Sequence, residues 1–262
     1  MSDSTLCATT SQGADALHRE LEESRAKAHA GAFIVLMFTM LATYQLGLVA
    51  LPLLPERLQP PSSVLTFLMV VYTAIPIAVA LKDSPFSLES YGLSVKHWGR
   101  DIYQAFLYTL PVLALLLALK LVLMRVMPSM VSQSVFDFSA VLVRRPGGFS
   151  LGAYLFFLVL YIVHSPLQEF IARTGLQGSL QHFAPVPAGQ TNWKAILVSN
   201  LLFSAAHNYF GFWFCVTVFV PGIYWGWLFS KRPSLIAVSF SHILIGVWGI
   251  FMLGLVRAIL TH

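Results

Sequence analysis

An all-α, multi-pass membrane bundle of roughly seven helices is the fold that this sequence predicts, and three observations predict it. Hydrophobic residues make up 57% of the 262 residues and charged residues only 10%, with a mean hydropathy of +0.73, values that exclude an ordinary soluble domain. Apolar stretches long enough to cross about 30 Å of hydrocarbon recur along the chain. The breaks between them collect the charges and prolines, as in Pro55-Glu56-Arg57, Lys82-Asp83-Ser84-Pro85 and Lys231-Arg232-Pro233. A formal net charge of +5 would suit a nucleic-acid partner, but the basic residues sit at the ends of apolar runs, which is the placement that membrane topology demands. Membrane lipids are therefore the expected surroundings, and no nucleic acid is expected.

Residues 1–30 carry mixed charge, Arg19, Glu20, Glu22, Glu23, Arg25 and Lys27, and read as a polar arm, too polar and too long for a cleavable signal. Residues 31–262 read as one membrane domain. The first span covers about residues 31–54 and the second about 62–81, followed by a polar connector, 86–100, with Tyr91-Gly92-Leu93 and Trp98. A third run, 101–127, contains Pro111, which predicts a kink, and Lys120, whose long stem can carry its ammonium toward the headgroups. Residues 128–148, with Asp137, Arg144, Arg145 and Pro146-Gly147-Gly148, read as an exposed loop. The run 149–183 is too long for one simple crossing, and 184–189 is a turn. Runs over 193–210, 212–229 and 234–256 complete the set. With the N-terminus inside, Lys82, Lys96, Arg100, Lys194, Lys231 and Arg232 fall on the cytoplasmic side, and Arg57, Arg125, Arg144 and Arg145 outside. That asymmetry favours this orientation, in the cytoplasmic membrane of a bacterium. Cys7 and Cys215 show no metal or disulfide spacing.

Polar residues inside the apolar runs are the candidates for function, because ionisable groups at membrane depth are costly and tend to line an interior or a wet cavity. The densest patch is His164-Ser165-Pro166-Leu167-Gln168-Glu169-Phe170-Ile171-Ala172-Arg173. Glu169 and Arg173, four apart, pair along one helix face, which fits either a structural ion pair or a functional site. His207 and His242 lie in later runs, and either alone fits a packing role. Counted from the turn at 184–189, Glu169 and His207 are each about 21 Å deep at about 1.5 Å per residue, and His242 is about 14 Å deep from the same membrane side. The three therefore approach one level. Asn200 and Ser204 precede His207 at helical spacing, and Ser239 precedes His242, positions from which they can orient an imidazole. A carboxylate and two imidazoles in a semi-dry pocket suit hydrolysis, with Glu169 drawing a proton from water and the histidines polarising a carbonyl or holding a metal. His-Glu-x-x-His spacing is absent, so a divalent metal such as zinc would be gathered from separate helices, through His207 and His242.

The order of these motifs resembles the CAAX protease and bacteriocin-processing family, CPBP or Abi, over about residues 84–256. The family pattern, Glu-Glu-x-x-x-Arg, Phe-x-x-x-His and His-x-x-x-Asn, reads here as Gln168-Glu169-Phe170-Ile171-Ala172-Arg173, Phe203-Ser204-Ala205-Ala206-His207 and His242-Ile243-Leu244-Ile245-Gly246. Gly222-Ile223-Tyr224-Trp225-Gly226 adds support. The resemblance implies an intramembrane endopeptidase that hydrolyses a peptide bond in a membrane-associated or prenylated substrate, whose first glutamate, at the position of Gln168, activates water while His207 and His242 complete the site. Glu169 matches the second glutamate, Arg173 and Phe203 belong to the same motifs, and the helical spacing adds His164, Asn200 and Ser204 as supporting residues.

Two departures open a second reading. Gln168 stands at the first glutamate, and an amide is no general base; Gly246 stands at the asparagine, removing a side chain. A pseudo-protease that binds a membrane peptide or lipid in an immunity or scaffolding role meets both substitutions, and His164, one turn before Gln168, is a substitute base under the first. A proton-relaying transporter is a third possibility, but no repeated halves support it.

Overall fold

The computed structural model describes residues 3–58, 62–128, 130–142 and 148–260, and these form a helical bundle. The elements are α1 (Asp3–Ala50), α2 (Ser62–Lys82), α3 (Trp98–Val126), α4 (Leu151–Glu169), α5 (Gly178–Phe183), α6 (Trp193–Ala205), α7 (Phe212–Lys231), α8 (Leu235–Gly246) and the short α9 (Arg257–Leu260). Two π segments, Phe170–Gln177 and Val247–Met252, continue α4 into α5 and extend α8. Among the described residues five stretches are long and apolar enough to cross a membrane: Glu20–Leu53, Trp98–Val126, Leu151–Phe183, Phe212–Lys231 and Leu235–Met252. Two shorter apolar helices, Phe67–Lys82 and Trp193–Ala205, account for the other apolar runs.

The bundle is organised around α4, its π continuation and α8. On one side α3 and α4 pack against α8; on the other, α1, α2 and α6 pack against the π segment and α5, while α7 closes against α6. Helix α1 passes from the charged stretch into the apolar one without a break, and at Gly31 it comes close enough to Phe183 that an added Cβ would stand 3.4 Å from the ring. Pro111 lies inside α3, which remains one continuous helix.

Three sequence expectations change. The run 193–210 is not one helix: α6 stops at Ala205, about 20 Å from its start at about 1.5 Å per residue. The chain then turns through Asn208 and through Gly211, whose φ of +100° suits glycine. His207 therefore sits on a turn. Lys120, expected to reach the headgroups, is fully buried, and its Nζ has no hydrogen-bond partner. The third change concerns the loop expected to be exposed. Met130, Asp137, Ala140 and Leu142 are buried in it. The Asp137 N–H donates to the Met252 carbonyl at 2.9 Å, and Arg257 donates to Asp137 at 2.8 Å and to Ser139 at 3.0 Å, so an ion pair straps the loop to the end of the last long helix. Burial works against ionisation of Asp137, but the Arg257 and Ser139 hydrogen bonds outweigh it and hold its carboxyl below the usual range. Arg144 and Arg145 lie outside the described residues.

At the opposite end, the polar connector is pinned to the turn before α8. Leu235 N–H donates to the Gly92 carbonyl at 2.9 Å, Ser234 donates to Asp101 at 2.8 Å, and Arg232 pairs with Asp101 at 3.2 Å. Gly92, at φ +79°, would press a Cβ against Phe229, so glycine is what the turn admits. The basic residues of 82–100 and 231–232 thus share one face of the bundle.

Candidate functional site

The polar patch of α4 divides where the helix widens. Past Glu169 the backbone enters the π segment Phe170–Gln177, a register in which each turn holds an extra residue and which tends to occur at functional sites. Arg173 and Gln177 project from it toward α7. Arg173 donates to the Gly222 carbonyl at 2.9 Å and to Gln177 Oε1 at 3.2 Å, and Gln177 donates to the Gly226 carbonyl at 2.9 Å. Glycine is required at both contacts, because a Cβ at Gly222 would overlap Asn200 and one at Gly226 would lie 3.0 Å from Arg173 Nη1.

Glu169 is completely buried and both of its oxygens are engaged. Arg173 Nε donates to Oε2 at 3.0 Å, and His242 Nδ1 lies 2.7 Å from Oε1. A carboxylate only accepts, so Nδ1 of His242 carries the proton and its Nε2 is left as the basic nitrogen. Trp225 stacks on the His242 ring at 3.9 Å between centroids and 15° between planes, and Tyr161 meets the ring edge-on at 5.8 Å. Both faces of the imidazole are thereby constrained.

Gln168 points elsewhere, as neighbours about 100° apart on a helix must. Its Nε2 lies 3.3 Å from His207 Nε2, and His207 Nδ1 lies 2.8 Å from the Phe203 carbonyl. The carbonyl accepts, so Nδ1 bears the proton and Nε2 accepts from the Gln168 amide. The expected residues are thus brought together as two pairs, Glu169 with His242 and Gln168 with His207. His164 stands within electrostatic range of both histidines, and its buried Nε2 has no hydrogen-bond partner.

Some supporting residues have other tasks. Asn200 donates to the Phe219 carbonyl at 2.7 Å and Ser204 to the Cys215 carbonyl at 2.6 Å, so both tie α6 to α7, and it is the backbone of Phe203 that orients His207. The Phe203 ring contacts His207 at 4.8 Å and lies 5.7 Å from the Arg173 guanidinium carbon. Ser239 Oγ has no hydrogen-bond partner; Glu169 is what holds His242. Tyr161 and Trp225 escaped the sequence reading as site residues. Tyr161 had a usable signal, lying three and seven residues before His164 and Gln168, on the same helix face.

Gln168 and His207 open onto a chamber of about 100 Å³ that is partly open to the outside. Met37, Leu41 and Tyr44 of α1 and Met69, Val70 and Thr73 of α2 form one wall; Ile171, Ala172, Leu202 and Phe203 form the other. Glu169 and His242 do not line it. The chamber is an apolar slot with an amide and an imidazole at one end, the composition expected of a site for an apolar chain bearing a polar group.

The zinc that the sequence allowed would be held by His207 and His242. Each turns Nδ1 to a protein acceptor, Phe203 and Glu169, which leaves Nε2 as the nitrogen a metal would take. Among the described residues no group of three or more His, Cys, Asp or Glu side chains is disposed to hold a metal ion, so these two imidazoles lack a third ligand of that kind.

Residues 150–248 match a family model described as Rce1-like, type II CAAX prenyl endopeptidase. The segment holds α4 through α8, with all three motifs and Trp225. No curated protein and no solved structure matches the chain.

Proposed function

We propose that the chain, whose residues 150–248 match the Rce1-like family model, keeps that family's substrate cleft but is impaired in hydrolysis. It holds a membrane-associated, apolar or prenylated peptide in the chamber, with a backbone amide of the peptide against Gln168 and His207. One observation carries this reading: the side chain facing His207 in the chamber is an amide, while Glu169 is buried and bonded to Arg173 and His242. An amide cannot draw a proton from water. Freeing Glu169 to do so would leave a buried guanidinium without its counter-charge.

The test uses purified full-length protein in detergent with a fluorescent farnesylated peptide. The natural protein binds the peptide and leaves it intact, and Gln168→Glu creates cleavage that His207→Ala removes. Absence of peptide binding overturns the reading.

A second reading, an active peptidase, is favoured by His164. Its buried Nε2 lacks a partner and lies one turn before Gln168. It would take the proton of a water attacking the peptide carbonyl carbon and return it to the amine as the C–N bond breaks, while the Gln168 N–H not given to His207 donates to the charged carbonyl oxygen. Cleavage by the natural protein that His164→Ala abolishes would establish this reading in place of the first.

The orientation we propose puts the N-terminus and the basic face formed by 82–100 and 231–232 in the cytoplasm, in accord with the positive-inside rule. Cysteines placed at Ser94 and Gly189 are then labelled from inside and one at Ser134 from outside.

A further inference from the structure

Helix α1 leaves the bundle without a break. It packs on α5 where Gly31 meets Phe183, Ala30 is its first buried residue among those described, and the stretch before that continues as one helix from Asp3. At about 1.5 Å per residue this stretch reaches about 40 Å past Ala30. None of the described side chains from Leu17 to Ala28 is buried, and Leu17 and Leu21 stand 59% and 52% exposed. A helix in water draws most of its stability from packing an apolar face, and this one has no neighbour in its own chain to pack against.

The free face is defined by its spacing. Cys7, Thr10, Ala14, Leu17, Leu21, Ser24 and Ala28 follow one another at alternating intervals of three and four, the seam of a two-helix coiled coil, with the leucines at its centre. Counted in sevens from Leu21 and Ala28, the same face continues through Val35, Ala42 and Val49, all exposed. It lies on the opposite side of the helix from Ala30, Phe33, Met37 and Met40, which are buried in the bundle. A second helix laid along this face meets α1 and not the core behind it.

The charges name the occupant. Two copies in one bilayer point the same way, so their α1 helices can pair only in parallel. Glu20 and Arg25 flank the seam, and in a parallel pair the residue before one seam position faces the residue five further along on the other helix. Glu20 of one copy therefore meets Arg25 of the other, and two-fold symmetry repeats the contact. The contacts within the helix leave both charges free for this: His18 contacts Glu22 at 3.4 Å and Lys27 pairs with Glu23 at 2.8 Å.

We propose that residues 7–28 form a parallel coiled coil with the same stretch of a second copy, making the protein a dimer joined back to back through α1. Met37, Leu41 and Tyr44, the α1 wall of the chamber, lie on the far side of the helix from the seam, so the two chambers face away from each other.

The experiment uses the full chain with Cys7 and Cys215 replaced by serine, reconstituted in phosphatidylcholine vesicles and oxidised with copper phenanthroline. Ser24→Cys, on the seam, gives a disulfide-linked dimer, and Ala26→Cys, on the outer side, gives far less. In detergent, Glu20→Arg and Arg25→Glu each weaken dimerisation about tenfold by sedimentation, and the two together restore it, because the pair is only reversed. A fold damaged by either change would not return in the double variant. A natural protein that stays monomeric, equal cross-linking at both cysteines, or a double variant as weak as the single ones overturns the proposal.

Discussion

Gln168 Nε2 lies 3.3 Å from His207 Nε2, amide against imidazole, at the polar end of an apolar chamber. A carboxylate at this position would add a base, and would keep the contact once His207 carries a proton on both ring nitrogens. Gln168→Glu is therefore expected to raise peptide cleavage by about 10²-fold or more over the natural protein, the range a positioned general base supplies. A fluorogenic farnesylated peptide reads it out. An inert Gln168→Glu protein that still binds peptide would show that more than the base is missing.

The pair Glu169 and Arg173 is fully buried, and its partners are fixed by the π segment. Arg173→Leu leaves a carboxylate without its guanidinium and is expected to cost about 3–5 kcal/mol. Glu169→Leu with Arg173→Leu should cost clearly less than the sum of the two single changes, because neither charge is then stranded. Thermal unfolding in detergent measures each term, and strict additivity would argue against coupling.

Gly222 faces Asn200 with no room for a methyl group. Gly222→Ala is expected to destabilise by about 1–3 kcal/mol through overpacking, by displacing the Asn200 amide from the Phe219 carbonyl. Adding Asn200→Ala to Gly222→Ala should recover part of the loss. Melting temperatures of the two variants, compared at one detergent concentration, decide it.

Acid should loosen the strap at the far end of the bundle. The Asp137 carboxyl is held below its ordinary value by the Arg257 and Ser139 hydrogen bonds, against the opposing effect of burial. A depressed folded-state value means that the unfolded chain binds the proton more readily, so the contribution is whole above the ordinary carboxylate pKa of about 3.9 and is lost as pH falls below it through the folded value. Arg257→Met should flatten stability against pH in that acid window and leave its slope near neutrality unchanged. Denaturation followed by intrinsic tryptophan fluorescence at a series of pH values tests this.

Much of this architecture was legible in the chain. Hydropathy located the apolar runs, and counting from one turn put Glu169 and His207 at a common depth, which the contact between adjacent Gln168 and His207 bears out. The count worked although α6 ends at Ala205, since a turn two residues later hardly changes the depth. Pairing was harder to read. Depth says nothing about rotation around a helix, so it could not divide Gln168 from Glu169 between the two histidines. Nor could spacing show that Asn200 and Ser204 serve the backbone of α7, because an amide or hydroxyl bonds a carbonyl as readily as an imidazole. The packing of Tyr161 was hidden for a related reason: the space it fills is left by Gly246, eighty-five positions away in sequence, which helical spacing on α4 does not reveal.

The chamber's outer wall comes from α1 and α2, which precede the family-matched stretch, and Gln45 fastens α1 to the Ala205 carbonyl at the end of α6. On the binding reading, one wall of the space that would meet a cargo is therefore encoded apart from the polar residues. Evolution can retailor the lining at Met37, Leu41, Met69 or Val70 without disturbing the histidines. Sister proteins with an identical inner half would then accept tails of different girth, and grafting the first two helices between them would transfer the taste along with the graft.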